Sequence, residues 1–390
     1  MDILYMGYFC NEKLFNQLVR AGSKGSHARQ QLEMKLLDGF IEVLGDNRLE
    51  IVSYLPLFES VKRSARGGEV YHGIKIHYLW CDKHKISSLI HAFRKNLSYI
   101  RHWCKGKKEK VVLSYSTNII HVVPLFLLRK IYKFKVVSLC SEVSTFRRKE
   151  NMNLFGYINR KVTSFLDNGF DGYILLSEYM NEVINNRKKP YIVMEGVAKE
   201  PRSLEGLKKE HAVLYAGGLS EDNGIKILLD GFVQAEIPRL QLWICGEGAL
   251  EETVQAYVNN YKNIRFFGII SNEQVQKLEQ EAELLAAPRY SKNEFTKYSF
   301  PSKTIEYMSS GTPTVLTRLK GIPKEYFSYA YVLEDESAKG VCALLKRVFQ
   351  ESEQERKELG QKAKEFVLER KNGQVQAQKV LDFLLKYKNK

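Results

Sequence analysis

Short apolar runs alternate along the chain with longer stretches whose apolar residues recur every three or four positions. In the first half, residues 3–7, 49–54, 74–79, 111–115, 135–139, 172–176 and 191–194 read as brief buried strands. Between them, 26–44, 118–132 and 151–168 carry helical spacing. The second half repeats the pattern, with strands predicted at 213–216, 241–245, 264–267, 284–287, 314–316 and 331–333. Continuous apolar strands separated by amphipathic helices mark a parallel sheet covered on both faces. The chain therefore reads as α/β, with two successive doubly wound domains whose ligands gather at the carboxyl ends of the strands. A polar stretch at 201–207 is the expected linker and divides the chain into 1–200 and 201–372. Three helices follow at 338–350, 355–369 and 374–385, and the last places Ala377, Val380, Leu381 and Leu384 on one face.

Size and composition sharpen this picture. A chain of 390 residues exceeds one ordinary core, and 44% hydrophobic residues suffice to build two. With no eighteen-residue apolar run, no transmembrane helix is expected. The first residues, Met1 to Tyr8, begin as a strand and not as a signal peptide. Six cysteines are scattered singly without a C-x-x-C, which reads as buried thiols of a reducing cytoplasm. The net charge of +15 is unevenly placed: residues 1–200 hold 32 Lys and Arg against 19 Asp and Glu, and 201–390 hold 28 against 26. An anionic surface or substrate is expected for the first half, either nucleic acid or an acidic membrane face.

Two stretches of the first half carry candidate chemistry. The loop from Arg20 to Arg29 contains Gly25, Ser26 and His27 and opens into a helix, so capped amides there suit a phosphate or an acceptor. The alternative is a plain connection. Between Lys83 and Lys110, Ile86, Leu89, Ile90, Phe93, Leu97, Ile100 and Trp103 recur at helical spacing among many lysines and arginines. We expect this apolar stripe to cover the sheet and the basic residues to meet an anionic bilayer.

The second half contains three glycine turns at consecutive strand ends: Gly217-Gly218, Cys245-Gly-Glu247-Gly248, and Phe267-Gly-Ile269-Ile270. A sixteen-residue stretch from Phe300 to Val315 reads as a short helix with both ends marked. Ser299 is a candidate cap, Pro301 fits the first turn, Gly311 stops the helix and Pro313 prevents a restart. Lys303 in that first turn opposes the helix dipole, so a nearby anion would account for it. Glu306, one turn on, has the chemistry to accept hydrogen bonds from a diol. Together these features point to a nucleotide pocket.

The strand-Gly-Gly-Leu219 turn, Cys245-Gly-Glu-Gly, Asn263-Ile-x-Phe-x-Gly268 and Phe300-Pro-Ser-Lys-x-x-Glu306-Tyr-Met-x-Ser-Gly-Thr-Pro313 resemble the donor half of retaining family-4 glycosyltransferases of the GT-B fold. The match is closest to bacterial members that build surface polysaccharides. The resemblance implies two Rossmann-like domains facing a cleft, with the helix at 373–390 returning to the first domain. It assigns Glu306 to the ribose hydroxyls, the backbone of Phe300, Pro301 and Ser302 to sugar and diphosphate, Ile269 and Ile270 to the base, and Glu247 and Gly248 to the nucleotide side. It implies no metal and no other cofactor, and no metal-ligating cluster is visible in the sequence.

Two departures matter. Tyr298 stands where the family usually has a Glu, eight residues before the ribose Glu. Gly218 and Asn223 stand where it usually has the diphosphate-binding Arg and Lys. A leaving diphosphate gathers negative charge that something must stabilise. Lys303 and Arg289 are the expected replacements. On the acceptor side Glu142 is the candidate for orienting a hydroxyl, the alternative being a surface Glu paired with Arg147 or Arg148.

The sequence reading is a cytoplasmic glycosyltransferase, peripheral on the inner membrane face. It moves a hexosyl-type sugar from a nucleotide-diphosphate donor to a lipid-linked or saccharide acceptor. Alternatives are a nucleotide-sugar epimerase or hydrolase of the same fold, or a non-catalytic scaffold. No nucleic-acid module accompanies the positive charge.

Overall fold

A computed structural model of the chain describes residues 1–23, 26–45, 48–64, 69–82, 85–115, 118–141, 143, 154–202 and 206–388. Two compact units emerge: Met1–Val197 together with Gly373–Lys390, and Ala198–Asn372.

In the first unit the strands are β1 (Asp2–Gly7), β2 (Leu49–Pro56), β3 (Glu69–Tyr71), β4 (Ile74–Cys81), β5 (Lys110–Ser114), β6 (Lys135–Cys140), β7 (Gly172–Leu175) and β8 (Tyr191–Val193). They lie in the order β3-β4-β2-β1-β5-β6-β7-β8, all pairings parallel except β3 with β4. The helices are α1 (Glu12–Arg20), α2 (His27–Leu44), α3 (Glu59–Ser64), α4 (Ile86–Trp103), α5 (Ile119–Tyr132), α6 (Leu154–Asp167) and α7 (Met180–Ile184). Ile3, Leu4, Tyr5 and Met6 of β1 are fully buried, as a central strand with both faces covered requires.

The second unit orders β11 (Ile264–Phe266), β10 (Gln241–Cys245), β9 (Glu210–Ala216), β12 (Ala282–Ala287), β13 (Thr314–Thr317) and β14 (Tyr331–Leu333) into one parallel sheet. Around it lie α8 (Ile225–Ala235), α9 (Glu251–Asn260), α10 (Asn272–Glu281), α11 (Ser302–Ser310), α12 (Ala338–Gln350) and α13 (Glu353–Arg370). Leu228, Leu242, Leu284 and Val348 fill the core on one face, and Leu214, Trp243, Leu285 and Tyr307 fill it on the other.

Each predicted strand is present. Sequence reading missed β3, whose three residues are all partly exposed and form no apolar run, and α1, which buries Leu14, Phe15 and Leu18. It also misjudged α4. Ala92, Asn96, Ile100 and Trp103 are the buried positions and Leu89, Phe93 and Leu97 are half-buried, while Ile86 and Ile90 are 75% and 53% exposed. Among the described residues, no helix is long and apolar enough to cross a membrane.

The last helix, α14 (Gly373–Lys388), belongs to the first unit. Ala377, Val380, Leu381 and Leu384 are buried, and the Gln376 side chain donates to the Met194 and Gly196 carbonyls, each at 2.7 Å. Its start lies against α2 so closely that a Cβ on Gly39 would stand 2.0 Å from the Gly373 carbonyl oxygen. Backbone cannot yield as a side chain does. Gly39→Ala is therefore expected to destabilise the first unit by about 1–3 kcal/mol, read as a lower denaturation midpoint.

Candidate functional site

In each sheet the first strand has neighbours that lead away in opposite directions, which opens a crevice at its carboxyl end. In the second unit that point lies between β9 and β12. The turns meeting there are joined through their backbones. The Gly217 amide donates to Cys245 O at 3.0 Å, Gly246 to Gly268 O at 2.8 Å, and Leu219 to Glu247 O at 2.8 Å. Gly224 has φ 73°, and a Cβ on it would lie 1.6 Å from the Pro288 carbonyl oxygen, so only glycine lets the segment after β12 lie this close.

Three of the predicted glycine positions thus shape the edge, and their neighbours explain one departure. The Gly218 carbonyl accepts from the Tyr215 hydroxyl at 2.7 Å and from the Asn223 side-chain amide at 2.9 Å. Asn223 therefore fixes the turn where the resemblance implies a lysine. Glu247 and Gly248 are exposed. Ile269 is 71% exposed, and Ile270 is partly buried against the Leu214–Trp243 core.

The stretch from Phe300 folds as α11, with two corrections at its start. Pro301, not Ser299, is the N-cap, and it makes no side-chain capping bond. A proline has no side-chain acceptor, so no side chain of the cap residue takes the amides of Ser302 and Lys303, while the Thr304 amide donates to the Pro301 carbonyl at 3.0 Å. Gly311 closes the far end in the left-handed conformation, as expected. Ser302 is exposed, and the buried Phe300 ring packs on Tyr326 with centroids 5.3 Å apart, leaving only its backbone for a ligand. Tyr298 is likewise buried, with the Lys297 ammonium 4.6 Å from its ring centre.

Lys303 is not waiting for an anion. Its ammonium lies 2.8 Å from Glu306 Oε2 and 3.6 Å from Oε1 of Glu279, a buried residue of α10. Burial alone would depress the ammonium's pKa, but Glu306 and then Glu279 outweigh it and hold the pKa well above the ordinary lysine value. The Tyr307 ring sits 5.6 Å away, and its hydroxyl accepts from the Ala216 amide at 2.8 Å and donates to the Ala216 carbonyl at 3.2 Å, tying α11 to the end of β9. Glu279 had no motif to reveal it, because its partner lies on another helix.

Arg289, just past β12, is in the opposite condition. Among the described residues no carboxylate pairs with its guanidinium, and its Nε is buried without a hydrogen-bond partner. Its nearest ring is Phe295, 5.8 Å away. Burial draws its pKa down, with Tyr215 and Asp222 acting in the other direction.

At the corresponding edge of the first unit, Ser26 caps α2 by accepting from the Arg29 amide at 3.3 Å, and the His27 ring meets Phe15 edge-on at 4.7 Å. Gly25 and Glu142 lie outside the described residues. A residue that the sequence reading passed over dominates here. Glu33 of α2 is wholly buried, and its Oε2 accepts from the Tyr8 amide at 2.9 Å and the Tyr5 hydroxyl at 3.0 Å. Its Oε1 has no hydrogen-bond partner, the nearest cation being Arg29 Nε at 3.9 Å. A lone polar residue in an apolar helix face was the only sequence signal.

The comparisons with known proteins follow this geometry. Residues 197–366 match the family model described as glycosyl transferases group 1. All but the first residue of that match lies in the second unit. Among solved structures, the chain is similar to Anabaena Alr3699/HepE in complex with UDP, with 14% identity, TM-score 0.67, and coverage of 99% of this chain and 100% of that one. It is similar to the lipopolysaccharide outer core galactosyltransferase WaaB, with 15% identity, TM-score 0.62, and 99% of each chain covered. Sucrose-phosphate synthase from Thermosynechococcus elongatus gives 14% identity, TM-score 0.67 and full coverage of both chains. No curated protein matches the sequence significantly. The fold is GT-B, and the group 1 domain contains Arg289, Lys303, Glu306 and Glu279.

Burial lifts the Glu33 pKa from 4.5 to about 7, while hydrogen bonds from Tyr8 and the Arg29 charge act the other way. Below about pH 4.5 the carboxyl is protonated in both the folded and the unfolded chain. Between there and about pH 7 the folded form holds the extra proton, so this group's contribution makes stability fall as pH rises through that window. Glu33→Gln is expected to flatten this part of the stability–pH curve, measured by denaturation at each pH.

Proposed function

We propose that the protein transfers a hexosyl-type sugar, with retention, from a nucleotide-diphosphate sugar to a lipid-linked or saccharide acceptor in cell-surface polysaccharide synthesis. It works in the cytoplasm at the inner membrane face and needs no metal. The observation that carries this reading is Arg289, a partly buried cation just past β12, at the switch point of the second sheet, with which no carboxylate of the described residues pairs. The uncapped start of α11 adds amide donors, and both suit a diphosphate.

The paired Lys303 has a different task from the one its sequence position suggested. It holds Glu306 in place so that the carboxylate accepts from the ribose hydroxyls, and Glu279 holds Lys303 in turn. Arg289 and the α11 amides then stabilise the charge that builds on the leaving phosphate as the sugar bond breaks. The UDP held by HepE makes UDP the first nucleotide to try. The acceptor belongs at the carboxyl edge of the first unit's sheet, near Ser26, His27 and Glu142, and the positive charge of that half suits a lipid diphosphate.

A scaffold reading draws on Tyr298 and Asn223, which replace ionic groups with neutral ones. Donor turnover separates the two. Among nucleoside diphosphates, the cognate one at about a hundredfold its Kd is expected to stabilise the protein by about 2.7 kcal/mol in thermal denaturation. Arg289→Ala should lower kcat/KM by about a hundredfold or more, and Lys303→Ala by more than about tenfold. Unchanged turnover in both variants would remove the electrostatic mechanism, and absence of turnover with any nucleotide sugar would favour the scaffold.

A further inference from the structure

The first half of α4 is covered on one side only: Ala92 is buried and Leu89 and Phe93 are half-buried, while the opposite side is open. Asn96 is level with the start of α5, donating to the Ile120 and His121 carbonyls at 3.1 and 3.2 Å. From there on the helix is anchored. Ile100 and Trp103 are buried, and the Tyr99 hydroxyl donates to Glu50 at 2.7 Å. The ten residues before Asn96 run ahead of α5 for about 15 Å at the usual helical rise. Ile86 and Ile90 are 75% and 53% exposed, one turn apart on one face. Because α4 follows β4 and runs antiparallel to it, this free end lies at the carboxyl edge of the sheet, the edge that a ligand of this unit approaches.

The charges around these isoleucines have one sign. Neither α4 nor α5 contains an Asp or Glu. Arg94 and Lys95 are exposed and, among the described residues, form no ion pair. Lys85, just before the helix, is 3.7 Å from Asp82, the one carboxylate of the described residues shown to pair with this end. Exposed large apolar side chains flanked by unpaired cations on one helix fit the interfacial region of an anionic bilayer. There the apolar groups leave water and the cations meet phosphate headgroups. A nucleic acid would use the cations but leave the two isoleucines in water.

We propose that the projecting half of α4 docks on an anionic lipid surface, with Ile86 and Ile90 entering the acyl boundary and Arg94, Lys95 and Lys85 on the headgroups. This rests on the acceptor assignment made above, which it extends. Docking by this end brings the acceptor edge of the first unit to the bilayer, so a lipid-borne acceptor reaches it without leaving the membrane.

The test is co-sedimentation of the full chain with phosphatidylcholine vesicles, with and without phosphatidylglycerol. The wild type should bind only the vesicles that contain phosphatidylglycerol. Ile86→Ser with Ile90→Ser, and separately Arg94→Gln with Lys95→Gln, should each weaken that binding at least about tenfold. All four side chains are exposed, so melting temperature and UDP affinity, both measured without vesicles, should stay at wild-type values. Wild-type binding in both double variants would overturn the proposal. So would indifference of the wild type to phosphatidylglycerol, or tighter binding to an oligonucleotide than to vesicles. UDP binding and donor turnover are read independently: their loss with vesicle docking intact refutes the enzyme reading alone, and the converse refutes the docking face alone.

Discussion

One ammonium held between two carboxylates sets the electrostatics of the donor-type domain. Lys303 lies 2.8 Å from Glu306 and 3.6 Å from Glu279, and these three side chains together carry a net negative charge. Glu279 is buried, so releasing Lys303 would withdraw a cation from a carboxylate that water cannot reach in its place. The cluster therefore holds its geometry, and a phosphate approaching the same sheet edge meets no spare positive charge from it. Arg289, by contrast, pairs with no carboxylate of the described residues, and Pro301 gives α11 no side-chain cap. Lys303 and Arg289 thus stand in different conditions: the first is paired with carboxylates, and the second, among the described residues, is not.

Much of the fold was legible because parallel strands buried on both faces read as unbroken apolar runs, and β1 or β10 cannot be mistaken for anything else. Turn chemistry was legible for a similar reason, since Gly246 and Gly311 occupy places where a side chain is excluded or a positive φ is required. Local physics fixes these features, and local sequence reports them. The edge strand β3 lacked the signal, being short and half exposed. The helix α1 had it in Leu14, Phe15 and Leu18, behind the capping Asn11, and was passed over.

The parts that stayed hidden depend on who the neighbour is. Spacing showed Lys303 and Glu306 one turn apart, but nothing in α10 marks Glu279 as the third member. The apolar stripe of α4 was read correctly as a stripe, yet periodicity does not tell how far the adjacent helix extends. The same holds for Glu33, whose place beneath the turn after β1 is a property of how α2 packs and not of the residues beside it. Asn223 is the converse case. Its departure from the family pattern was visible in the sequence, and only the hydrogen bond to Gly218 shows what it does instead.

The return of α14 to the first unit has a consequence for how the chain comes into being. The second unit is one continuous segment and holds every element of its own sheet before residue 373 is made. The first unit is interrupted, and the face of α2 that meets Gly373 stays uncovered until the final helix has been synthesised. During translation the later-made unit is therefore the earlier to be completed, and the apolar groove along α2 is the surface that a nascent chain must keep from sticking elsewhere.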